Sequence, residues 1–207
     1  MKVTGFISAC LLVVLALTLA MPAPAPAQDA PPEKQPKSEK FGALAFLPSG
    51  AGPAMVGAGA RVNVDLFVNS YTSDAEAKQM AAVLVEAGPD ALLKTLEKTA
   101  SKGKITLSGR VGFYDLKLIR SHRTPTGRRI YAVGDRPVGF LEVYAGNRSL
   151  DYPFGILQLD LETKENGKEE GAGALIYSAK IKVLDGSKID VESYGIQPIR
   201  LMGVRKL

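Results

Sequence analysis

The stretch AKIKVLDGSKIDVE, residues 179–192, decides how this chain reads. Ala179, Ile181 and Val183 alternate with Lys180 and Lys182. Beyond Asp185-Gly186-Ser187, Ile189 and Val191 alternate with Lys188, Asp190 and Glu192. A period of two belongs to a strand with one buried face. A three-residue loop that pairs Leu184 with Lys188 sets Val183 opposite Ile189, Lys182 opposite Asp190 and Lys180 opposite Glu192. A two-residue loop would place aliphatic residues opposite charges. Face matching and charge pairing select the same register, so an antiparallel hairpin is predicted here.

The same grammar extends outward. Candidate strands are Ile105–Leu107, Gly112–Arg120, Arg129–Val133, Gly139–Tyr144, Gly155–Glu162, Ala174–Leu184, Lys188–Tyr194 and Ile199–Arg205, with turns at Thr124-Pro125-Thr126-Gly127 and Asn166-Gly167. Upstream, Val62, Val64, Leu66 and Val68 share one face of a strand, and Phe41–Leu47 is a further candidate. Only one region changes period. Ser73 and Glu76 form a capping box, and Ala77, Met80, Ala81 and Leu84 fall on one helical stripe that Gly88-Pro89 ends. Asp90 is placed to cap a second helix with Leu92, Leu93 and Leu96 inward, and Gly103 to stop it. The fold class is therefore α+β: a mainly antiparallel sheet, sandwich-like or curled, with one inserted helical hairpin.

The N-terminus reads as an export signal. Lys2 is followed by the apolar run Gly5–Ala20 and then by Ala25-Pro26-Ala27, a small-x-small cleavage pattern. Sixteen apolar residues fall short of the ~20 that cross a bilayer, so residues 1–27 are expected to be a signal peptide with no membrane span left after cleavage. Ile7-Ser8-Ala9-Cys10 mimics a lipid-attachment site, but its apolar run follows the cysteine instead of preceding it. Gln28–Lys40 has proline and charge but nothing apolar larger than alanine, and is read as a disordered tether. Residues 41–207 then form a single domain, periplasmic or secreted. Cleavage removes Cys10, the only cysteine, so disulfides and thiolate chemistry are excluded from the mature chain. It also removes Lys2, leaving 25 basic against 21 acidic side chains, a mildly basic balance.

Catalytic motifs fail one by one. His122, the single histidine, lies in a run of cations and reads as a hairpin surface residue. One histidine with no cysteine makes a His-based metal site implausible, and no cofactor is implied. Ser101-Lys102-Gly103-Lys104 matches SxxK in letters, but that motif needs a helix running through both residues. RSLDYPFG, residues 148–155, holds a cation, an anion, a phenol and a proline, and reads as a structural corner leading into a strand. The leading candidate for ligand binding is the basic hairpin. Arg120, Arg123, Arg128, Arg129 and Arg136 are candidates for an anion site, since guanidinium forks suit phosphate and carboxylate. The alternative is a solvated hairpin whose arginines pair with Asp115, Asp135 or Asp151.

GRRI (127–130), DRP (135–137), RSLDYPFG (148–155) and SYGIQPIRLMGVRK (193–206), with GPDALLKTLEK (88–98), resemble a family of small exported bacterial proteins of unknown function. The resemblance runs from about Val62 to Leu207. It implies a bacterial source and an exported location, and it carries no catalytic residues. The expected function is a non-enzymatic binding or structural domain of the bacterial envelope. One alternative is a binder of anionic polymers, envelope polymer or nucleic acid, or of a protein partner. Another is a hydrolase-type enzyme with a carboxylate site.

Overall fold

Alternating sequence fixes the strands, and their pairing is visible in a computed structural model that describes residues 38–46, 61–108, 112–138, 151–184, 188–194 and 197–207. The elements run β1 (Glu39–Phe46), β2 (Arg61–Val68), α1 (Asp74–Ala87), α2 (Pro89–Lys98), β3 (Gly103–Leu107), β4 (Tyr114–Leu116) and β5 (Leu118–Thr124). Then follow β6 (Gly127–Gly134), β7 (Phe154–Thr163), β8 (Glu169–Leu184), β9 (Lys188–Ser193) and β10 (Ile199–Lys206). The expected signal peptide, most of the expected tether, the candidate strand Gly139–Tyr144 and Arg148 lie outside the described residues.

All strands belong to one sheet of order β4-β3-β2-β1-β10-β8-β7-β6-β5, with β9 added to β8. Every pairing is antiparallel. The sheet curls into a nearly closed barrel, so the fold is α+β with the β part dominant. The 179–192 hairpin has the register its sequence selects, from Leu184↔Lys188 to Lys180↔Glu192. One detail differs. The ion pair runs diagonally, Lys182 to Glu192, while Lys180 lies over the Tyr152 ring at 5.9 Å. Diagonal neighbours on one strand pair are within reach of long side chains.

The two ends of the strand order, β4 and β5, are separated only by Lys117. A single residue finishes the seam. Thr72 donates its N–H to the Ile119 carbonyl at 2.8 Å, and its Oγ1 accepts from the Ile119 N–H at 2.9 Å. Its own carbonyl accepts from Arg120 at 2.9 Å. Thr72 is 1% exposed, so each of these groups needs its protein partner.

Period two then sorts side chains into two cores. Inside the barrel lie Phe41, Leu66, Ile105, Ile119, Ile130, Leu157, Leu159, Leu175, Ile199 and their neighbours. Outside it, Met80 and Leu84 of α1 and Leu92 and Leu96 of α2 cover Val133, Phe154, Ile156, Ile176, Ile181 and Ile189. β8 serves both, because its 16 residues outrun the barrel wall and its far half pairs with β9 alone over most of its length. The Ser73–Glu76 capping box opens α1 as the sequence requires.

Several boundaries move. α2 starts at Pro89 behind an N-cap Gly88, with Asp90 in the first turn and no side-chain cap. It ends at Lys98 with Thr99 as C-cap, so Gly103 does not stop it. Gly103 opens β3, where a Cβ would sit 2.2 Å from the Phe67 carbonyl oxygen, a contact only glycine avoids. The expected strand Gly112–Arg120 is broken at Lys117, whose N–H turns to the Val133 carbonyl at 2.9 Å. β1 begins at Glu39, inside the segment read as tether. Phe154 enters β7 fully buried from the corner at Tyr152-Pro153, where Tyr152 hydrogen-bonds Glu192 at 2.7 Å.

The seam makes a sharp expectation. Thr72→Val keeps the shape and leaves the Ile119 N–H buried without an acceptor, so urea unfolding should show a loss of about 1–3 kcal/mol. Thr72→Ser, which retains the hydroxyl, should lose markedly less.

Candidate functional site

Strand parity decides which polar residues enter the barrel. Glu39 shares a face with Phe41, Lys206 with Val204, and Arg128 with Ile130 and Ala132, all of which are core residues except the three charges themselves. All three charges sit at strand ends on the same rim of the barrel, together with Glu169 at the start of β8 and Tyr71 just after β2. The rim is therefore plugged by a polar cluster.

Arg128 is its hub. Nη1 and Nη2 donate to Glu39 at 3.0 and 2.8 Å, Nε and Nη2 donate to Glu169 at 2.7 and 2.7 Å, and Nη1 also donates to the Tyr71 hydroxyl at 3.2 Å. These contacts use all five guanidinium N–H donors. The guanidinium carbon lies 5.6 Å from the centre of the Phe41 ring, the first layer of the apolar interior. Lys206 Nζ donates to Glu39 at 2.6 Å, and Tyr71 donates its hydroxyl to the same carboxylate. Two carboxylates and two cations make the cluster neutral.

The cluster sets its own protonation. Burial alone would raise the Glu39 carboxyl, but hydrogen bonds from Arg128, Lys206 and Tyr71 outweigh it and hold the group down to about 2. Burial and the Glu39 carboxylate push the Tyr71 hydroxyl up, so it stays a donor. Burial works against the charge of Arg128, and the two carboxylates overcome it.

Above the cluster lies an open cleft of about 960 Å³. Besides the cluster it is lined by Arg123, Lys168, Arg205 and Glu170, with Gly127 and Gly167 at the hairpin turns. Beyond the neutral cluster, the lining carries the basic side chains of Arg123, Lys168 and Arg205 and the acidic side chain of Glu170.

The five arginines singled out by sequence are not gathered in one place. Cross-strand register puts Arg123 opposite Arg128 on one face of the β5–β6 hairpin, and Arg120 opposite Tyr131 and His122 opposite Arg129 on the other. Arg123 and Arg128 enter the cleft. Arg129 pairs with Asp160, its direct neighbour on β7, and Arg120 with Asp74 at 2.5 Å. Arg136 donates to the Phe113 carbonyl at 3.2 Å and lies over the Tyr114 ring. The acids that meet Arg120, Arg128 and Arg129 are thus Asp74, Glu39, Glu169 and Asp160, far from them in sequence, whereas Asp135 pairs with Lys117. His122 packs edge-to-face on Tyr131, and burial, then Arg120, lower its affinity for a proton. Sequence reasoning missed Glu39, Tyr71, Glu169 and Lys206. The available signal was parity: running the alternation of Phe41 and Val204 two residues further places Glu39 and Lys206 inward. Among the described residues no group of three or more His, Cys, Asp or Glu side chains is placed to hold a metal ion.

The lowered Glu39 value links stability to pH. A carboxyl depressed from 4.5 to about 2 stabilises fully above its unfolded value and loses that contribution as pH falls through about 2. Urea midpoints should therefore drop across that acid window. Glu39→Gln should cost roughly 3–5 kcal/mol at neutral pH by leaving Arg128 and Lys206 underpaired, and should flatten the acid limb relative to the parent protein. Comparing the two proteins isolates Glu39 from Glu76, which Lys102 and Ser73 also hold at about 2. Set against protein-family models, curated proteins and solved structures, this chain matches none of them.

Proposed function

We propose that this chain is an exported, non-enzymatic binding domain of the bacterial envelope that holds an acidic envelope polymer in the cleft at the barrel rim. The observation that carries this reading is the basic lining of the cleft, to which Lys168 and Arg205 add their side chains beside Glu170, next to a neutral cluster. Cations arrayed along an open cleft suit a chain of repeated anions better than one small ligand, since the cleft has no enclosing wall to desolvate a single charge. Arg128 contributes by ordering the floor, because its donors are already used.

A carboxylate-based hydrolase is the weaker reading. Two carboxylates do converge here, Glu39 and Glu169, but both are held by one guanidinium, which donates to each of them from Nη2. A general acid needs a raised pKa, and Glu39 moves the other way. The exported location rests on the sequence of residues 1–27. No helix among the described residues is long and apolar enough to cross a membrane.

Fluorescence anisotropy with a labelled acidic polysaccharide tests the reading. Affinity should fall steeply with salt, and Lys168→Ala/Arg205→Ala should weaken binding and reduce the slope of log affinity against log salt by about one per residue removed. Binding that ignores salt, or that survives the double substitution, defeats the proposal. A preference for single-stranded DNA over polysaccharide would keep the cleft but reassign the polymer.

A further inference from the structure

The helical hairpin packs on β6 to β9, away from β10, β1, β2 and β3. On those four strands the outward side chains form two rows of one kind. Arg200 stands opposite Phe46, and Phe46 opposite Arg61. Lys40 stands opposite Phe67, and Phe67 opposite Lys104. Each row sets a phenylalanine between two cations on neighbouring strands. Beside the first row, Leu44 stands opposite Met202.

The rows differ in how their charge is met. Asp65 takes Lys40 at 3.1 Å, and Asp115 is the register partner of Lys104. Both lysines lie over the Phe67 ring, at 5.0 and 5.2 Å. The other row has no such acid. The register partners of Arg200 are Phe46 and Ala174, and among the described residues neither Arg200 nor Arg61 forms an ion pair. Both arginines are exposed. Met202 is 55% exposed and Phe46 36%, with Leu44 half-buried between them. A single exposed apolar side chain is ordinary. Here Phe46, Leu44 and Met202 adjoin in register, and unmatched guanidiniums bracket them.

We propose that this end of the wall rests on an anionic lipid bilayer. Phe46 and Met202 enter the boundary between headgroups and acyl chains, while Arg61 and Arg200 hold lipid phosphates as guanidinium forks. Charge complementarity selects this occupant. A second copy of the chain would set arginines against arginines. A nucleic acid would need an open ring to stack on, and Arg61 already lies over the Phe46 ring at 5.8 Å. The placement also orients the barrel. Glu39 and Phe46 are the two ends of an eight-residue strand, which puts the charged rim roughly 20 Å from the patch. A bilayer at Phe46 leaves the rim cleft facing away from it, whatever that cleft holds.

The chain contains no tryptophan, so one introduced residue reports on one place. Met202→Trp marks the patch, and Val85→Trp, at a 38% exposed position of α1, marks the helical flank. The protein recovered after export is mixed with vesicles of phosphatidylcholine and phosphatidylglycerol. Met202→Trp emission should shift to the blue, and brominated acyl chains should quench it. Phosphatidylcholine alone should do neither, and Val85→Trp should stay unshifted with both. Arg61→Ser/Arg200→Ser in the Met202→Trp background should lower partitioning about fivefold for each arginine removed, with an unchanged unfolding midpoint showing that the fold is intact. No shift with the anionic vesicles, an equal response from Val85→Trp or to neutral vesicles, or full partitioning by the double arginine variant would each overturn the proposal. A blue shift that rises with protein concentration in the absence of vesicles would give the patch to a second copy and overturn it too.

Discussion

A single guanidinium closes one end of this barrel. Arg128 projects inward from the first turn of β6, where the next residues on its face, Ile130 and Ala132, are fully buried. An unpaired charge there would be intolerable. Its donors are met by residues from β1 and β8 and from the segment after β2, and Lys206 of β10 joins through Glu39. These segments are far apart in sequence, with Arg128 and Glu39 89 residues apart and Lys206 and Glu39 167 apart. The network can form only when the sheet has curled fully round. Replacing such a cluster with apolar residues is often neutral or better for stability. What the cluster adds is a condition on the fold: the rim strands must arrive in one register, or a buried charge is stranded.

The seam works by the same logic with fewer atoms. β4 and β5 cannot form a long ladder, because only Lys117 separates them. Thr72 supplies the missing pairing as a one-residue strand, donating and accepting at Ile119. Arg120 then ties that residue to the start of α1 through Asp74. The helical hairpin is thereby anchored where it leaves the barrel, and its apolar face falls on the extension formed by β8 and β9. The Nε of Arg120 is left buried without a hydrogen-bond partner by this arrangement, since two of the three guanidinium nitrogens are committed to closing the barrel.

How much of this was legible in the sequence depends on range. The 179–192 hairpin was readable to the residue, because both of its constraints, aliphatic faces and opposed charges, lie within fourteen residues. The capping box of α1 was readable for the same reason. Glu39 was not. Its neighbours 28–38 have the composition of a tether, and only partners that lie 29 to 167 residues away, from Val68 in the ladder to Lys206 in the cluster, make it an inward strand residue. The arginine cluster failed similarly. Sequence proximity placed five arginines together, but alternation sent Arg120 and Arg129 to one face and Arg123 and Arg128 to the other. Gly103 shows a third limit. A glycine after a helix reads as a stop, and only the pairing of β3 with β2 reveals that the carbonyl of Phe67 is what requires it.

The position of any ligand follows from what closure leaves over. The interior is lined by large side chains, from Phe41 at one level to Ile199 at another, among the described residues. On the outer walls cations are largely matched where they stand: Arg129 by Asp160, Lys40 by Asp65 and the Phe67 ring, Lys104 by the Phe67 and Phe113 rings. At the rim, the turns β5–β6 and β7–β8 and the end of β10 bring Arg123, Lys168 and Arg205 to a cleft over a cluster that has already balanced its own charge. This follows from a barrel that closes through side chains instead of a continuous ladder, because side-chain closure gathers charged residues at the edges.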